Sequence, residues 1–489
     1  MAASPRADGQ PFAATLAPTS ISSNGAMLNG MATCNAGSAS AWFEWGTTTS
    51  YGHRAGATNL AGGVNVIMVR NGLSGLPQGY VYHYHLVASN AVSVVSGADQ
   101  QFTVGGTAMP WGNNADGEAN PQGVTNVVAV SAGYFHSMTL MNDGTVVAWG
   151  YNADGQATVP AGLQNVAAIS AGYLHSLALM NDGTITAWGA GTTDTETPPN
   201  FGQSIVPAGL SNVVACSAGS YHNLALRSDG TVVAWGDNLH GQATVPAGLS
   251  NVVAVAAGEY HSLALKNDGT VVAWGSGKVN SPSDGRDYGQ AIVPSGLSSV
   301  VAIAAGAYHS LALRKTGSVV AWGAGTVNNP SDGYTDPNTG ISVDDGQSIV
   351  PGSLGSTTQV SGGGFFSMAL RTIGDVAAWG DNQVGETNVP SLTRTVSIAS
   401  GLGHGLALMP SSLPVTNSVS IQSLFSGGSL VLTWPADAVA YTIESSPVLG
   451  TGAHWTAAGI MATENGGAFT ATIPGGPFTK FYRLRFSAE

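Results

Sequence analysis

From about residue 108 to residue 409 the chain repeats one pattern of apolar and polar positions. A stretch such as His-Ser-Leu-Ala-Leu alternates apolar and small residues, an Asn-Asp-Gly or Ser-Asp-Gly turn follows, and Val-Val-Ala-Trp-Gly returns. Period-two alternation on either side of an Asp-Gly turn predicts a β-hairpin. A further apolar run, Asn-Val-Val-Ala-Val at 126–130 in the first copy, predicts a third strand leading to the next corner. Each copy therefore reads as a small antiparallel sheet.

Two markers count the copies. Ala-Trp-Gly ends at Gly150, Gly189, Gly236, Gly275, Gly323 and Gly380, and Pro-Trp-Gly at 110–112 adds a seventh. Gly-x-x-His opens an alternating strand at 133–140, 172–179, 219–226, 258–265, 306–313 and 401–408; segment 363–370 is another copy with Phe366 in the histidine position. Trp111 has no Gly-x-x-His before it, and His404 has no Trp-Gly after it. A half repeat at each end predicts a ring closed by pairing its first strand with its last, which hides the sheet edges.

Gly-x-x-His-Ser-x-Ala-Leu, then Asp-Gly, then Val-x-x-Trp-Gly-x-Asn-x-x-Gly-Gln, resembles the repeat of the regulator of chromosome condensation family. The resemblance implies a seven-bladed β-propeller over 108–409. It implies no single function, because the family includes a nucleotide-exchange factor, a plant UV-B photoreceptor and interaction modules. The exchange factor's partner-binding insertion has no counterpart in this chain. The tryptophans that the photoreceptor carries in the first middle position of this corner are absent too.

The flanks have a different texture. Trp-Phe-Glu-Trp-Gly at 42–46, alternating aromatics within 75–91 and Gln-Phe-Thr-Val at 101–104 resemble the closing half of a fibronectin type III sandwich, spanning 11–104. Residues 415–489 also alternate and break at Gly/Pro turns, which predicts a second small sandwich. Residues 1–10 read as a disordered tail. The expected fold class is all-β, a seven-bladed propeller flanked by two small β-sandwich domains.

Composition narrows the function classes. Charged residues are 8% of the chain, against about 25% in an ordinary soluble domain. Hydrophobic residues are 43%, enough to fill cores and to exclude disorder away from the ends. With 14 Lys and Arg against 27 Asp and Glu, net −13, and no basic runs, nucleic acid is not an expected partner. No apolar run approaches the ~18 residues of a membrane span, so membrane insertion is not expected either. Cys34 and Cys216 fall in different predicted domains, which leaves neither a disulfide framework nor a cysteine-based zinc site. The start lacks the basic and apolar regions of a signal peptide. Abundant Thr, Ser, Gly and Asn, and a C-terminal segment resembling modules appended to exported bacterial proteins, nonetheless point to a secreted or cell-surface bacterial protein whose signal has been removed.

Strand direction places every Trp-Gly end on the same face of the ring as the Gly-x-x-His corners. Insertions at about 190–203, 276–290 and 324–347 follow Trp-Gly and crowd that face, leaving the Asp-Gly hairpins alone on the other. Aromatic residues fill the middle of six of the seven corners, so the candidate ligand-binding residues are Tyr134, Phe135, Tyr173, Tyr221, Glu259, Tyr260, Tyr308 and Phe365, with Tyr288 and Tyr334 from the insertions. Sugars suit such a surface, since their C–H faces stack on aromatic rings while hydroxyls bond to carboxylates and amides. The plain alternative is that these aromatics pack between sheets. Asp194, Glu196, Asp332, Asp336, Asp344 and Asp345 add insertion acids to the same face.

Glu259 departs from its slot, otherwise Tyr, Ser, Ala, Gly or Leu; it reads as a working carboxylate or as a solvated surface acid. If the protein is a glycoside hydrolase, which needs two carboxyl groups about 5–9.5 Å apart, Glu259 with Asp287 or Asp284 is the pair to consider. The histidines at 136, 175, 222, 261, 309 and 404 sit too far apart around a ring to share an ion, so structural hydrogen bonding is expected and no metal. The Asp-rich stretch 332–345 lacks EF-hand spacing. No nucleophile elbow or phosphate loop occurs, and no cofactor is expected. The leading expectation is recognition of a polysaccharide or a cell-surface glycan or protein, with a hydrolase and a structural or adhesive module as alternatives.

Overall fold

The computed structural model describes residues 9–35, 37–63, 65–121, 123–278, 287–326 and 345–411, together with the strands between 422 and 486. The predicted tail at 1–10 therefore lies largely outside the described residues, as do Asp284, Asp332, Tyr334, Asp336 and Asp344. The chain forms two compact units, Met1–Leu413 and Pro414–Glu489. Among the described residues every regular element is a β-strand.

Strands β1 (Phe12–Ser22), β2 (Gly25–Thr33), β3 (Ala39–Gly46), β4 (His53–Leu60), β5 (Ile67–Ser74), β6 (Tyr82–Ser89), β7 (Val94–Ser96) and β8 (Gln100–Phe102) open the chain. They form two sheets, β1-β2-β5 and β4-β3-β6-β7, with β8 also paired to β6. Alternation sorts β3 cleanly: Ala41 and Phe43 face inward, while Ser40, Trp42 and Glu44 face out. Leu28, Phe43, Tyr84, Leu86 and Phe102 fill the space between the sheets. The Tyr84 hydroxyl donates to the Leu16 carbonyl, satisfying a phenol that would otherwise be buried without a partner.

After β9 (Gly106–Gly112), the repeats begin with a sheet of β10 (Val127–Ala132), β11 (His136–Met141) and β12 (Val146–Gly150), in that order. The hairpin between β11 and β12 shows why Asp-Gly recurs. Asp143 Oδ1 accepts from the Thr145 backbone N–H at 2.9 Å and its hydroxyl at 2.6 Å, and Gly144 takes φ 80°, where a side chain would be strained. The three-strand order recurs at 166–189, 213–236, 252–275, 300–323 and 357–380. A further sheet joins Ser397–Ser400 and His404–Pro410 to β9, with His404 opposite Gly112 and Pro410 opposite Gly106. Its inner strand packs against β10, so the sheets close a ring.

The hairpin face of the ring is not bare, contrary to the expectation from strand order. The N-terminal sandwich lies on it. Ser20 Oγ donates to Asn181 Oδ1 at 2.7 Å, Asn142 Nδ2 to the Val104 carbonyl at 3.1 Å, and Arg394 Nη2 to the Gly79 carbonyl at 2.6 Å. Phe12, Met31 and Val66 of the sandwich join Val252, Val253, Leu265 and Val300 of the ring in one apolar cluster. At Gly230 a Cβ would stand 2.7 Å from Val66 Cγ2, so this hairpin glycine admits the sandwich as well as the turn. The physical reason is that apolar side chains facing out of the small sandwich need cover, and the hairpin ends supply it.

Among the described residues of the second unit, the strands form two antiparallel sheets. One runs Gln422–Ser426, Ser429–Pro435, Ala468–Ile473, Thr463–Asn465; the other runs Thr456–Ala457, Tyr441–Ser446, Phe481–Phe486.

Candidate functional site

The Gly-x-x-His corner is built by its histidine. His136 is fully buried, its backbone carbonyl accepts from Gly133 N–H at 2.8 Å, and its Nε2 lies 2.8 Å from Ser176 Oγ of the next sheet. Ser176 Oγ in turn donates to the Gln156 carbonyl at 2.9 Å. The serine hydrogen is thus committed, which makes His136 Nε2–H the donor, and Nδ1, buried without a hydrogen-bond partner, is the bare nitrogen of a neutral imidazole. The same latch recurs from His175 to Asn223, His222 to Ser262, His261 to Ser310 and His309 to Ser367, and His404 to Ser137 closes the circle at 2.9 Å.

The missing latch is a paired exception. Phe366 has no ring N–H, and the residue that would receive it is Gly405, whose place is taken by the Trp111 indole: a Cβ there would fall 2.4 Å from that ring. In the six sheets that have a latch serine or asparagine, the repeat tryptophan donates its indole N–H to the carbonyl which that residue also uses, as Trp188 does to Gln156 at 2.9 Å, whereas Trp111 donates to the Glu386 carbonyl alone. Burial pushes His136, His222, His261 and His309 down to about 3, and His175 and His404 to about 4. These histidines are ring fasteners with their Nε2 atoms engaged.

The corners carry the candidate residues inward toward the ring axis. An opening of about 80 Å³ there is lined by the corner Ala and Gly residues, with Tyr134, Ser220 and Ala307 reaching it. Tyr134, on the first sheet of the ring, reaches Glu259 on the fourth, its hydroxyl donating to Glu259 Oε2 at 3.1 Å. Glu259 is 2% exposed. It is neither a solvated surface acid nor an open carboxylate, but the far end of a bridge across the axis.

Around this bridge the aromatics touch in series. Tyr134 meets Tyr173 edge-on at 4.8 Å between centroids, Phe135 meets Tyr173 at 5.4 Å, and Tyr173 meets Tyr221 at 5.2 Å. Tyr260, Tyr288 and Phe365 surround Tyr308 at 6.0, 5.4 and 6.1 Å. The two groups differ in depth. Tyr134, Phe135 and Tyr173 are half-buried, whereas Tyr221, Tyr260, Tyr288, Tyr308 and Phe365 are buried. Tyr260, Tyr288, Tyr308 and Phe365 pack in one cluster with Ala307, Ala324 and Leu402, against which Tyr134 and Phe135 also lie, while Tyr221 packs between Tyr173 and Phe201. Asp287, at the base of its insertion, accepts a hydrogen bond from Gly277 N–H. Asp194 and Glu196 stand exposed on a short hairpin, Asp194–Thr197 with Asn200–Phe201.

Three neighbours were not foreseen. Tyr151 lies 6.1 Å from Phe135, Phe201 5.3 Å from Tyr221 and His240 5.2 Å from Tyr260. Tyr151 directly follows a Trp-Gly marker, and that shared position was the available signal.

One electrostatic irregularity also sits in these loops. Gln242 donates its amide to Asp237 Oδ2 at 2.7 Å, but at the matching place Glu386 faces Asp381. Burial pushes the Glu386 carboxyl up to about 7, and the Asp381 charge adds to the rise. A raised folded value means full stabilisation below the ordinary carboxylate value and loss as pH rises through about 7. Glu386→Gln restores the amide donor, so Tm is expected to rise by about 2–4 °C at pH 8 and to change little at pH 4.5, measured by calorimetry.

Six segments, 127–156, 166–193, 213–242, 252–280, 300–329 and 358–386, match the Regulator of chromosome condensation (RCC1) repeat. Among curated proteins no match was found. Among solved structures, the chain is similar to Prp20p from Saccharomyces cerevisiae at 19% identity and a TM-score of 0.48, covering 62% of this chain and 92% of that one. It is similar to human WBSCR16 at 19% identity and 0.44, covering 62% and 98%. It is also similar to the CRINKLY WD40 ectodomain of the Arabidopsis thaliana receptor kinase ACR4 at 19% and 0.40, covering 64% and 95%. The repeats, with the recurring three-stranded sheets, make the central region an RCC1-type β-propeller.

Proposed function

We propose, for a chain whose RCC1 repeats build a β-propeller, that it is an exported bacterial recognition protein with seven blades, and that its Gly-x-x-His face takes a polysaccharide. The observation that carries this reading is the half-buried trio Tyr134, Phe135 and Tyr173, set edge to edge beside the Tyr134–Glu259 bridge. The ring's other face is taken up by the N-terminal sandwich, whose strand order supports a fibronectin type III-like module. Three aromatic rings at different tilts offer C–H stacking to a sugar, and the bridge offers a hydroxyl and a carboxylate edge to its oxygens. Recognition rather than hydrolysis is favoured because Glu259 and Asp287 are each engaged, one by Tyr134 and the other by the Gly277 amide.

Tyr173→Ala removes the ring shared by both aromatic contacts. Its affinity for a bound glycan is expected to fall roughly tenfold, from the loss of about 1–1.5 kcal/mol of aromatic contact. Glu259→Gln keeps an acceptor for Tyr134 and is expected to leave the fold intact. Titration calorimetry of both variants, with circular dichroism to verify folding, provides the check. Unchanged glycan affinity in Tyr173→Ala would place the ligand elsewhere.

A further inference from the structure

A second constructed surface lies far along the chain from the propeller corners, on the outer face of the sandwich sheet containing β3, β4 and β6. Trp42 and Glu44 stand outward on β3, and Glu44 pairs across the sheet with His85 of β6. Trp42 Nε1–H donates to Glu44 Oε1 at 3.1 Å, and His85 Nε2 lies 3.1 Å from Glu44 Oε2. The His85 ring lies against Tyr51, with centroids 4.1 Å apart. The Tyr51 hydroxyl donates to Asp99 Oδ1 at 3.2 Å, and Asp99 Oδ2 is 2.8 Å from His83 Nδ1. An unbroken series of contacts thus runs from His83 to Trp42 and fixes the indole.

On that indole rests Arg54 of β4, its Cζ 3.8 Å from the ring centroid. Arg54 is exposed, and among the described residues it makes no salt bridge and no side-chain hydrogen bond. That is notable in a chain with 27 acids and 14 cations. Glu44, the carboxylate that feels its charge, is already held by His85 and Trp42. Stacking uses the guanidinium's face and leaves its in-plane N–H fork available, the geometry that matches a planar carboxylate. Beside it runs a groove of about 570 Å³, bordered by Ser38, Ser40, Asn59 and Ser89. Ser40 Oγ donates to Asn59 Oδ1 at 3.1 Å, which orients the Asn59 amide N–H₂ as a further donor. The groove therefore combines one preorganised cation, hydroxyl and amide donors, and an aromatic edge.

We infer that this groove is a subsite for a uronic acid residue of an acidic polysaccharide, with Arg54 clasping the carboxylate and Trp42, Ser40 and Asn59 meeting the sugar ring. The inference does not rest on the propeller face. Its test titrates the full chain with polygalacturonate at low salt, beside the same polymer with its carboxyl groups reduced and beside poly-glutamate. Polygalacturonate is expected to bind, and both Arg54→Ala and Arg54→Lys are expected to lose roughly tenfold or more in affinity, because an ammonium does not reproduce a stacked bidentate fork. Arg70→Ala, which removes an exposed cation from β5 in the other sheet, is expected to bind polygalacturonate as the wild type does. Arg54 is exposed, and near-ultraviolet circular dichroism verifies that its variants are folded. Wild-type affinity in Arg54→Lys, equal binding of the carboxyl-reduced polymer, equal binding of poly-glutamate, or no binding of polygalacturonate would each overturn the assignment.

Discussion

At pH 5 the chain is expected to melt far below its Tm at pH 7.5. Six ring histidines are buried and neutral, held down to about 3 or 4 by loss of water. In the unfolded chain the same side chains titrate near 6.5. Between those values the unfolded state binds more protons, so stability is fully present above about 6.5 and is lost as pH falls toward 4, at about 1.4 kcal/mol per histidine per pH unit. Six latches acting together amount to an uptake of between five and six protons, about 5.6, on unfolding at pH 5. Glu386, pushed up to about 7, and Glu118, raised by burial, act in the opposite direction over this range, but they are two groups against six. Domain stabilities are only about 5–15 kcal/mol, so the histidine effect dominates. Calorimetry from pH 7.5 to 4.5, with proton uptake measured in buffers of different ionisation enthalpy, checks it. A Tm that stays level across this range would mean that the latches are not buried neutral imidazoles.

Gly258→Ala is expected to cost about 3 kcal/mol or more, through overpacking that its surroundings cannot relieve. A Cβ at this corner would stand 2.3 Å from His261 Cε1 and 2.7 Å from the Gly306 carbonyl oxygen. The imidazole is fastened to Ser310 at 3.0 Å, and the carbonyl belongs to the next corner, so neither yields without opening the ring. Gly352→Ala is the matched control: nothing lies within 4 Å of its Cβ position. Its effect is expected to stay within about 0.5 kcal/mol. Chemical denaturation of the two variants measures the contrast directly, and equal losses would remove the corner from the list of features that hold the sheets together.

The ring was legible because its markers are structural necessities. Trp-Gly, Asp-Gly and Gly-x-x-His each solve a local problem that every sheet shares, so they recur at fixed places. The half repeats at Trp111 and His404 announced the shared sheet, and β9 pairs with His404–Pro410. The latch partners were also written in the sequence: six of the seven histidine-position residues are followed by Ser or Asn, the seventh by Gly405, and Phe366 stands one sheet before that glycine. Reading that pairing needs the neighbour relation between sheets, which one repeat alone does not contain. Depth was not legible. The repeat assigns Glu259 and Tyr308 to a face but cannot say that Tyr134 reaches over to the one and that the other is 0% exposed. Docking was hidden for a related reason, since Phe12 and Val66 look like ordinary sandwich residues until the hairpins cover them.

The same contrast bears on function. Of the aromatic candidates among the described residues, Tyr134, Phe135 and Tyr173 are half-buried, and Tyr221, Tyr260, Tyr288, Tyr308 and Phe365 are buried. The measurement that tests the central proposal most directly is incubation of the purified chain with a polysaccharide panel, scoring bound protein and new reducing ends in the same samples. Saturable binding to at least one polysaccharide, weakened in Tyr173→Ala and accompanied by no new reducing ends, is the expected result. No binding across the panel, or reducing ends that disappear in Glu259→Gln, would contradict it.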